Sequence, residues 1–392
     1  MPIHPAYAQV SALLAAVFIL IAGNGLSNTL IPLSATVSGF PPLAVGLIGS
    51  VYFGGMLFGC LAAPRVIARA GHIRAFAAFV VIATVATLMH PIFVDPVSWA
   101  AIRAVTGFCL AGLYATIESW MHDKADNVVR GRMLAIYQIV NYAGAATGQQ
   151  AIRFISATSY VSFSIIAAAL ALSVLPLAYT RSDPPEPPPV PRLRLAWLFR
   201  ISPVGVVGAM ASGSANGTFW SLAPVFAERS GLGAGGVASF MTAAVVGAAL
   251  VQWPVGRLAD RSDRRHIMLA AIAIAILAQS AIIWFAKSDA WVLTVLAAAI
   301  GGSALVLYPL SSSHAQDLGG RENAVEVSTG LLLAYTIGAI VGPTVAAWMM
   351  STLGPEGLFI HNGSIHILFV VFVIWRLFRR PSHADTVADT EA

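Results

Sequence analysis

The chain has 392 residues, 58% of them hydrophobic and only 10% charged, with a formal net charge of +5. A soluble domain carries about 25% charged residues, and no soluble core could bury the apolar stretches of about 20 residues that recur along this chain, each able to cross a hydrocarbon core about 30 Å thick. The composition therefore excludes a soluble globular protein, and the absence of short alternating segments excludes a transmembrane β-barrel.

In chain order, the N-terminal MPIHPAYAQV lacks a basic segment, so the long apolar run after it reads as a retained first span rather than a signal peptide. Twelve spans are predicted, at about 9–33, 43–63, 75–91, 97–121, 133–152, 159–179, 201–226, 236–255, 267–286, 290–313, 324–350 and 357–377. Lys and Arg are strongly biased to one set of connections: 18 fall there, against Arg153, Arg229 and Lys287 on the opposite side and Arg103 inside a span. The positive-inside rule then puts both termini in the cytoplasm of an inner or plasma membrane protein. Six prolines between Pro184 and Pro191 cannot sit in a helix. They divide the chain into a bundle at 1–180, a Pro-rich cytoplasmic linker at 181–200, a second bundle at 201–378 and a polar, disordered tail at 379–392. Cys60 and Cys109 both fall in apolar spans and read as packed thiols.

Polar residues inside spans mark the candidate solute site, because lipid penalises them. Asn24 and Asn28 in span 1 are four apart and share a helix face. Arg103 in span 4 is the largest anomaly: no acid lies at its depth, so its partners must be carbonyls, amides, water or an anionic solute. The bland alternative is a snorkelling side chain near a span end. Span 5 carries a stripe of Gln138, Asn141, Tyr142 and Gln149. Span 7 carries Asn216 and Trp220, and span 10 carries Tyr308; interhelical amide bonds would explain the asparagines equally well. Glu118, His314 and Asp317, all towards the cytoplasm, are the candidates for proton linkage. No phosphate loop, zinc spacing or nucleophile elbow occurs. No catalytic residue, metal, cofactor or nucleic-acid partner is expected.

The two halves repeat each other. Asn24, Pro32, Gly55, Arg65 and Arg69 match Asn216, Pro224, Gly247, Arg257 and Arg261 at an offset of 192. Tyr114, Ser119, Asp123, Gly144 and Gly148 match Tyr308, Ser313, Asp317, Gly338 and Gly342 at 194. Six-span halves in parallel repeat are the layout of a transporter with a midplane site between rocking bundles.

The stretch GRLADRSDRR, Gly256 to Arg265, resembles the loop signature of the major facilitator superfamily, with Asp263 in place of a glycine. PRVIARAGHIR, from Pro64, is a degraded first copy in which Ala68 replaces the acid. Arg103-x-x-x-Gly107, Gly144/Gly148 and Gly338-x-x-x-Gly342-Pro343 resemble further family motifs, and "IESW", "NYAGAATGQ" and "YPLSSSHAQD" look most like the YcaD-like group. The resemblance implies an all-α membrane protein of twelve transmembrane helices in two pseudo-symmetric six-helix bundles. It further implies gating by Arg65, Arg69, Glu118, Asp260, Arg261 and Arg264. Asp260 would cap the start of span 5 around Arg132 to Leu134, and Glu118 would pair with Arg65 or Arg69. The expected function is secondary-active or facilitative transport of a small polar or weakly anionic metabolite by alternating access. Its partners would be the solute, the bilayer and protons as a coupling ion, and the chain would act as a monomer. The alternatives are efflux of amphipathic compounds and a transporter-like sensor or scaffold.

Overall fold

The computed structural model describes residues 5–124, 130–178 and 194–379, with side chains at 11–121, 133–178, 194–320 and 322–378. Among them only helices and turns occur. The first half contains α1 (Pro5–Val37), α2 (Pro42–Ala70), α3 (His72–Met89), α4 (Pro96–Lys124), α5 (Arg130–Gln150), α6 (Tyr160–Leu172) and the short α7 (Leu175–Ala178). The second contains α8 (Leu195–Ile201), α9 (Pro203–Arg229), α10 (Gly233–Ala259), α11 (Arg264–Trp284), α12 (Ala290–Ala304), α13 (Leu307–Gly319), α14 (Ala324–Leu353) and α15 (Gly357–Arg379). With α6–α7 and α12–α13 each counted as one broken span, and α8 set aside, these make the twelve expected crossings. The Pro-rich run lies outside the described residues, as does the tail from 380.

Ten of the described helices or joined helices are long and apolar enough to span a membrane, and an eleventh qualifies if α8 and α9 are taken together. The pair is bent by 114°, so α8 runs across the start of α9 rather than extending it. Its Leu198 is buried with Ala209, Val327 and Leu331. Low hydropathy in α5 and α9 has a packing cause. Twenty of the 27 residues of α9 are buried, so this helix meets mostly protein rather than lipid and is rich in Gly, Ala and Ser. In α5, Tyr142 and Gln150 bond residues of α10 in the other half of the molecule.

The sequence repeat reappears as a repeat of backbone contacts. A Cβ on Gly55 of α2 would strike the carbonyl of Ala104 in α4, and one on its mate Gly247 would strike the carbonyl of Ala298 in α12. A Cβ on Gly148 would likewise strike the carbonyl of Ala22, and one on Gly342 the carbonyl of Ser214. All four pairs keep the offsets of the sequence repeat, so the glycines set the same close helix crossings in each half. The result is two pseudo-symmetric six-helix bundles.

Among the described residues, the bundles meet closely at the end away from the chain termini. Gly46 of α2 lies against Pro343 and Ala347 of α14, and the Ser50 and Thr344 hydroxyls share a 2.7 Å hydrogen bond. Beside them the Gln150 amide donates to Thr242 Oγ1 at 2.8 Å, and the Arg153 guanidinium donates to Ser239.

Candidate functional site

Between the bundles, on the inner side of that seam, lies a cavity of about 340 Å³, at the small end of the roughly 300–1,000 Å³ typical of ligand pockets. Asn24, Asn28 and Pro32 of α1, Tyr52 and Phe53 of α2, Arg103 and Tyr114 of α4, and Asn141, Tyr142 and Gln149 of α5 line it from the first half. Trp220 and Ser221 of α9, Val245 of α10, Leu305 at the break between α12 and α13, and Tyr335 of α14 line it from the second. Among these, Arg103 alone carries a charge.

Arg103 is only 6% exposed. Its Nη2 donates to Asn28 Oδ1 at 3.2 Å, and its guanidinium carbon stands 3.8 Å from the centre of the Tyr52 ring. The α1 geometry makes this possible: Asn28 lies one turn from Asn24, so both amides face α4. Asn24 Nδ2 donates to the Tyr114 hydroxyl at 3.0 Å, and Tyr52 lies within electrostatic reach of Asn24. Tyr114 follows Arg103 by eleven residues, three turns, and so presents the same face of α4. Two asparagines, two tyrosines and one arginine thus form a connected polar wall. The snorkelling alternative for Arg103 does not describe this side chain, which turns inward.

From α5, Tyr142 donates across the cavity to Gln252 Oε1 of α10. Asn141 turns its amide to the Tyr137 carbonyl at 2.8 Å, and buried Gln149 leaves its Oε1 without a hydrogen-bond partner. Gln138 of the same stripe is exposed and stands outside the lining. Asn216 is buried and lies within electrostatic reach of Tyr335; it stands behind a lining residue without lining the cavity itself. Tyr308 is likewise one layer back, edge-on to Tyr335 with ring centres 4.9 Å apart. Trp220 faces the cavity. Tyr52 and Tyr335, which line the cavity, and Gln252, which holds Tyr142, are residues that the sequence reading missed. Their signal was present, as polar side chains within apolar spans, but nothing in the chain marked which of them faced the partner half.

The gating residues depart from expectation in two places. Glu118 makes no ion pair with Arg65 or Arg69: Arg65 donates back to the Leu61 carbonyl of its own helix at 3.1 Å, and Glu118 points the other way. It lies within electrostatic reach of Cys60, Tyr137 and Tyr308, on the terminal side of the cavity and between the halves. The reason is helical phase. Glu118 is fifteen residues from Arg103, about four turns, so it shares the inward face of α4. Asp260 is 68% exposed and pairs with Arg264 at 3.4 Å. The contact expected at Arg132 to Leu134 falls partly outside the described residues, since side chains at 122–132 are not among them. Arg264 also bonds Asp317 at 2.6 Å, tying the α10–α11 turn to the end of α13 beside His314. Arg69 and Arg261 are exposed.

Asp263, where the family pattern has glycine, caps α11: its carboxylate accepts from the Arg265 amide at 2.9 Å and pairs with the Arg265 guanidinium at 3.1 Å. Partial burial pulls this carboxyl upward, but the Arg265 amide and guanidinium outweigh it and hold it below its ordinary value.

The profile of the Major Facilitator Superfamily matches residues 13–329 and again 205–392. The chain belongs to the Major Facilitator Superfamily. Its relatives within the superfamily include the MFS-type transporter YcaD of Escherichia fergusonii, 27% identical over 93% of this chain and 95% of that protein. An MFS-type transporter of Enterobacter sp. strain 638 is 29% identical over 95% of this chain and 97% of its own. Among solved structures the fold is similar to the nucleoside transporter NupG, with a TM-score of 0.79 at 14% identity over 94% of this chain and 98% of NupG. It is also similar to the E. coli fucose:proton symporter FucP, with a TM-score of 0.61 at 14% identity over 95% and 99% of the two chains. Superfamily membership and the apolar helices together make this an integral membrane protein.

Proposed function

We propose that the chain is a transporter, not an enzyme, moving a small polar or weakly anionic organic solute by alternating access of the cavity between its two bundles. The observation that carries this reading is the buried Arg103–Asn28–Tyr52 cluster. A cation held at a depth where insertion costs about 2.5–3.5 kcal/mol needs a reason to be there, and a solute site supplies one. Asn24, Asn141, Tyr142 and Trp220 would contact the same solute, while Gln138, Asn216 and Tyr308 would act from behind or beside it. With the termini cytoplasmic in an inner or plasma membrane, the seam at Gly46 and Pro343 closes the outer mouth. Asp260, Arg261, Arg65 and Arg69 belong to the opposite mouth, where Asp260 would leave Arg264 to cap α5 when that mouth closes. Glu118 is the group best placed for proton linkage, because it faces the inter-bundle space without an ion pair; His314 and Asp317 stand beside the Arg264 cluster instead. The chain is expected to work as a monomer.

The test is uptake by proteoliposomes of purified protein bathed in a cell metabolite extract, read by mass spectrometry of the lumen. Accumulation of a defined solute over empty liposomes, lost in Arg103→Ala and reduced in Asn24→Ala, supports the reading. A solute that binds without crossing would replace it with a sensor, and uptake of many unrelated amphipathic compounds would replace it with broad efflux.

A further inference from the structure

The geometry points to a small monocarboxylate as the solute, its carboxylate held by Arg103 and the Asn28 amide and its body by the apolar wall opposite. This rests on the transporter reading above and narrows it to one chemical class. Arg103 has five N–H donors, and its hydrogen bond to Asn28 uses one; among the described residues no carboxylate pairs with it. The acids nearest along α4 are committed elsewhere. Asp95, eight residues earlier, accepts from the Val97 and Ser98 amides at the start of that helix. Glu118 is about 22 Å along the axis in the other direction. A charge buried in apolar surroundings is costly unless it is paired and hydrogen-bonded, and a guanidinium fork matches a carboxylate with two parallel bonds.

Asn28 adds direction. Its Oδ1 is the atom turned to Arg103, so its Nδ2 hydrogens remain for a second acceptor on the same side. Tyr52 covers one face of the guanidinium and leaves its edge for the incoming group. The charge count sets the valence: one cation in the lining, no carboxylate and no second cation, so a dianion would bury a charge without a partner. The remaining wall of Ile48, Phe53, Trp220 and Val245 suits an apolar or aromatic body, and a cavity of about 340 Å³ keeps it small.

The experiment compares matched probes on the full purified chain: butyrate, benzoate and hydrocinnamate, each against its own amide, with succinate and phthalate as dianions. Binding is read by equilibrium titration and by thermal stabilisation. At least one monocarboxylate is expected to bind tenfold or more tighter than its amide and than either dianion. In Arg103→Gln and Asn28→Ala that carboxylate should fall to the level of its amide, whose own affinity stays. Should Arg103→Gln not fold, Arg103→Lys keeps the charge but loses the fork, and should weaken the carboxylate alone. The proposal is overturned if every carboxylate binds no better than its amide, or if the preference survives substitution of Arg103. The two readings fail separately: uptake of neutral solutes without carboxylate preference removes the class and keeps transport, whereas Arg103-dependent carboxylate binding without flux removes transport and keeps the class.

Discussion

A side chain on Gly46 would place its Cβ 2.5 Å from the carbonyl oxygen of Pro343, across the seam between the two halves. Both residues belong to long helices that would otherwise repel at that distance, so closure of this mouth depends on a missing side chain. Gly46→Leu is expected to hold the mouth ajar. Overpacking of this kind costs about 1–3 kcal/mol, which displaces a two-state equilibrium by roughly 5–150-fold. Labelling of a single cysteine at Ala35, in a background without Cys60 and Cys109, should rise accordingly with a reagent applied from the far side. Equal labelling in both proteins would refute the wedge.

Asn24 donates to the Tyr114 hydroxyl inside the first bundle. Asn24→Ala leaves that hydroxyl short of a partner, and a buried group so orphaned costs about 1–3 kcal/mol. A lower midpoint of thermal unfolding is expected together with reduced solute uptake. Asn216→Ala should also lower the midpoint, through Tyr335, while affecting uptake less, because Asn216 stands behind the lining. Equal losses of uptake in the two variants would show that the halves use these asparagines alike.

Asp263 fixes the start of α11, and loss of such a cap costs about 0.5–2 kcal/mol. Asp263→Ala should show this near neutral pH. The sign with pH follows from a carboxyl held below its ordinary value: its contribution is complete above the unfolded value of about 3.9 and disappears as pH falls through the lower, folded one. Wild type and Asp263→Ala should therefore converge in stability under acid, and a constant gap across that range would exclude the cap.

Arg264 bridges Asp260 and Asp317 at the surface. Exposed pairs contribute about 0–1 kcal/mol, so Arg264→Ala should leave the unfolding midpoint nearly unchanged. A large drop would mean that the turn between α10 and α11 is part of the folded core rather than a solvated latch.

Glu118→Gln removes the ionisable group that faces the inter-bundle space. If uptake is linked to protons through it, the variant should lose stimulation by an imposed pH gradient while keeping exchange of preloaded solute. Unchanged stimulation would clear Glu118 of that role.

Much of the architecture was legible in the chain because a membrane imposes simple rules on sequence: apolar length gives a span, basic loops give a side, and a repeated pattern gives two related bundles. Even the close crossings at Gly55 and Gly247 were visible as repeat mates. Of the two helices that hydropathy alone renders poorly, α9 is largely enclosed by protein and built of small residues, while α5 carries polar side chains that bond the other half. At the site, Asn24, Asn28 and Arg103 stood out because each is anomalous in lipid. Tyr52 and Tyr335 did not, since a tyrosine in a span is unremarkable until its neighbour is known.

The sequence by itself determined the number of crossings, the twofold repeat and the buried cation that no acid on its own helix could neutralise, because these follow from composition and spacing along one chain. Only the tertiary structure decided that Arg103 rests on Asn28 and Tyr52, that Glu118 turns away from Arg65, and that the molecule is closed at the Gly46 end. Those outcomes depend on the rotation of each helix about its axis and the docking of one bundle on the other, which arise from contacts between residues far apart in the chain.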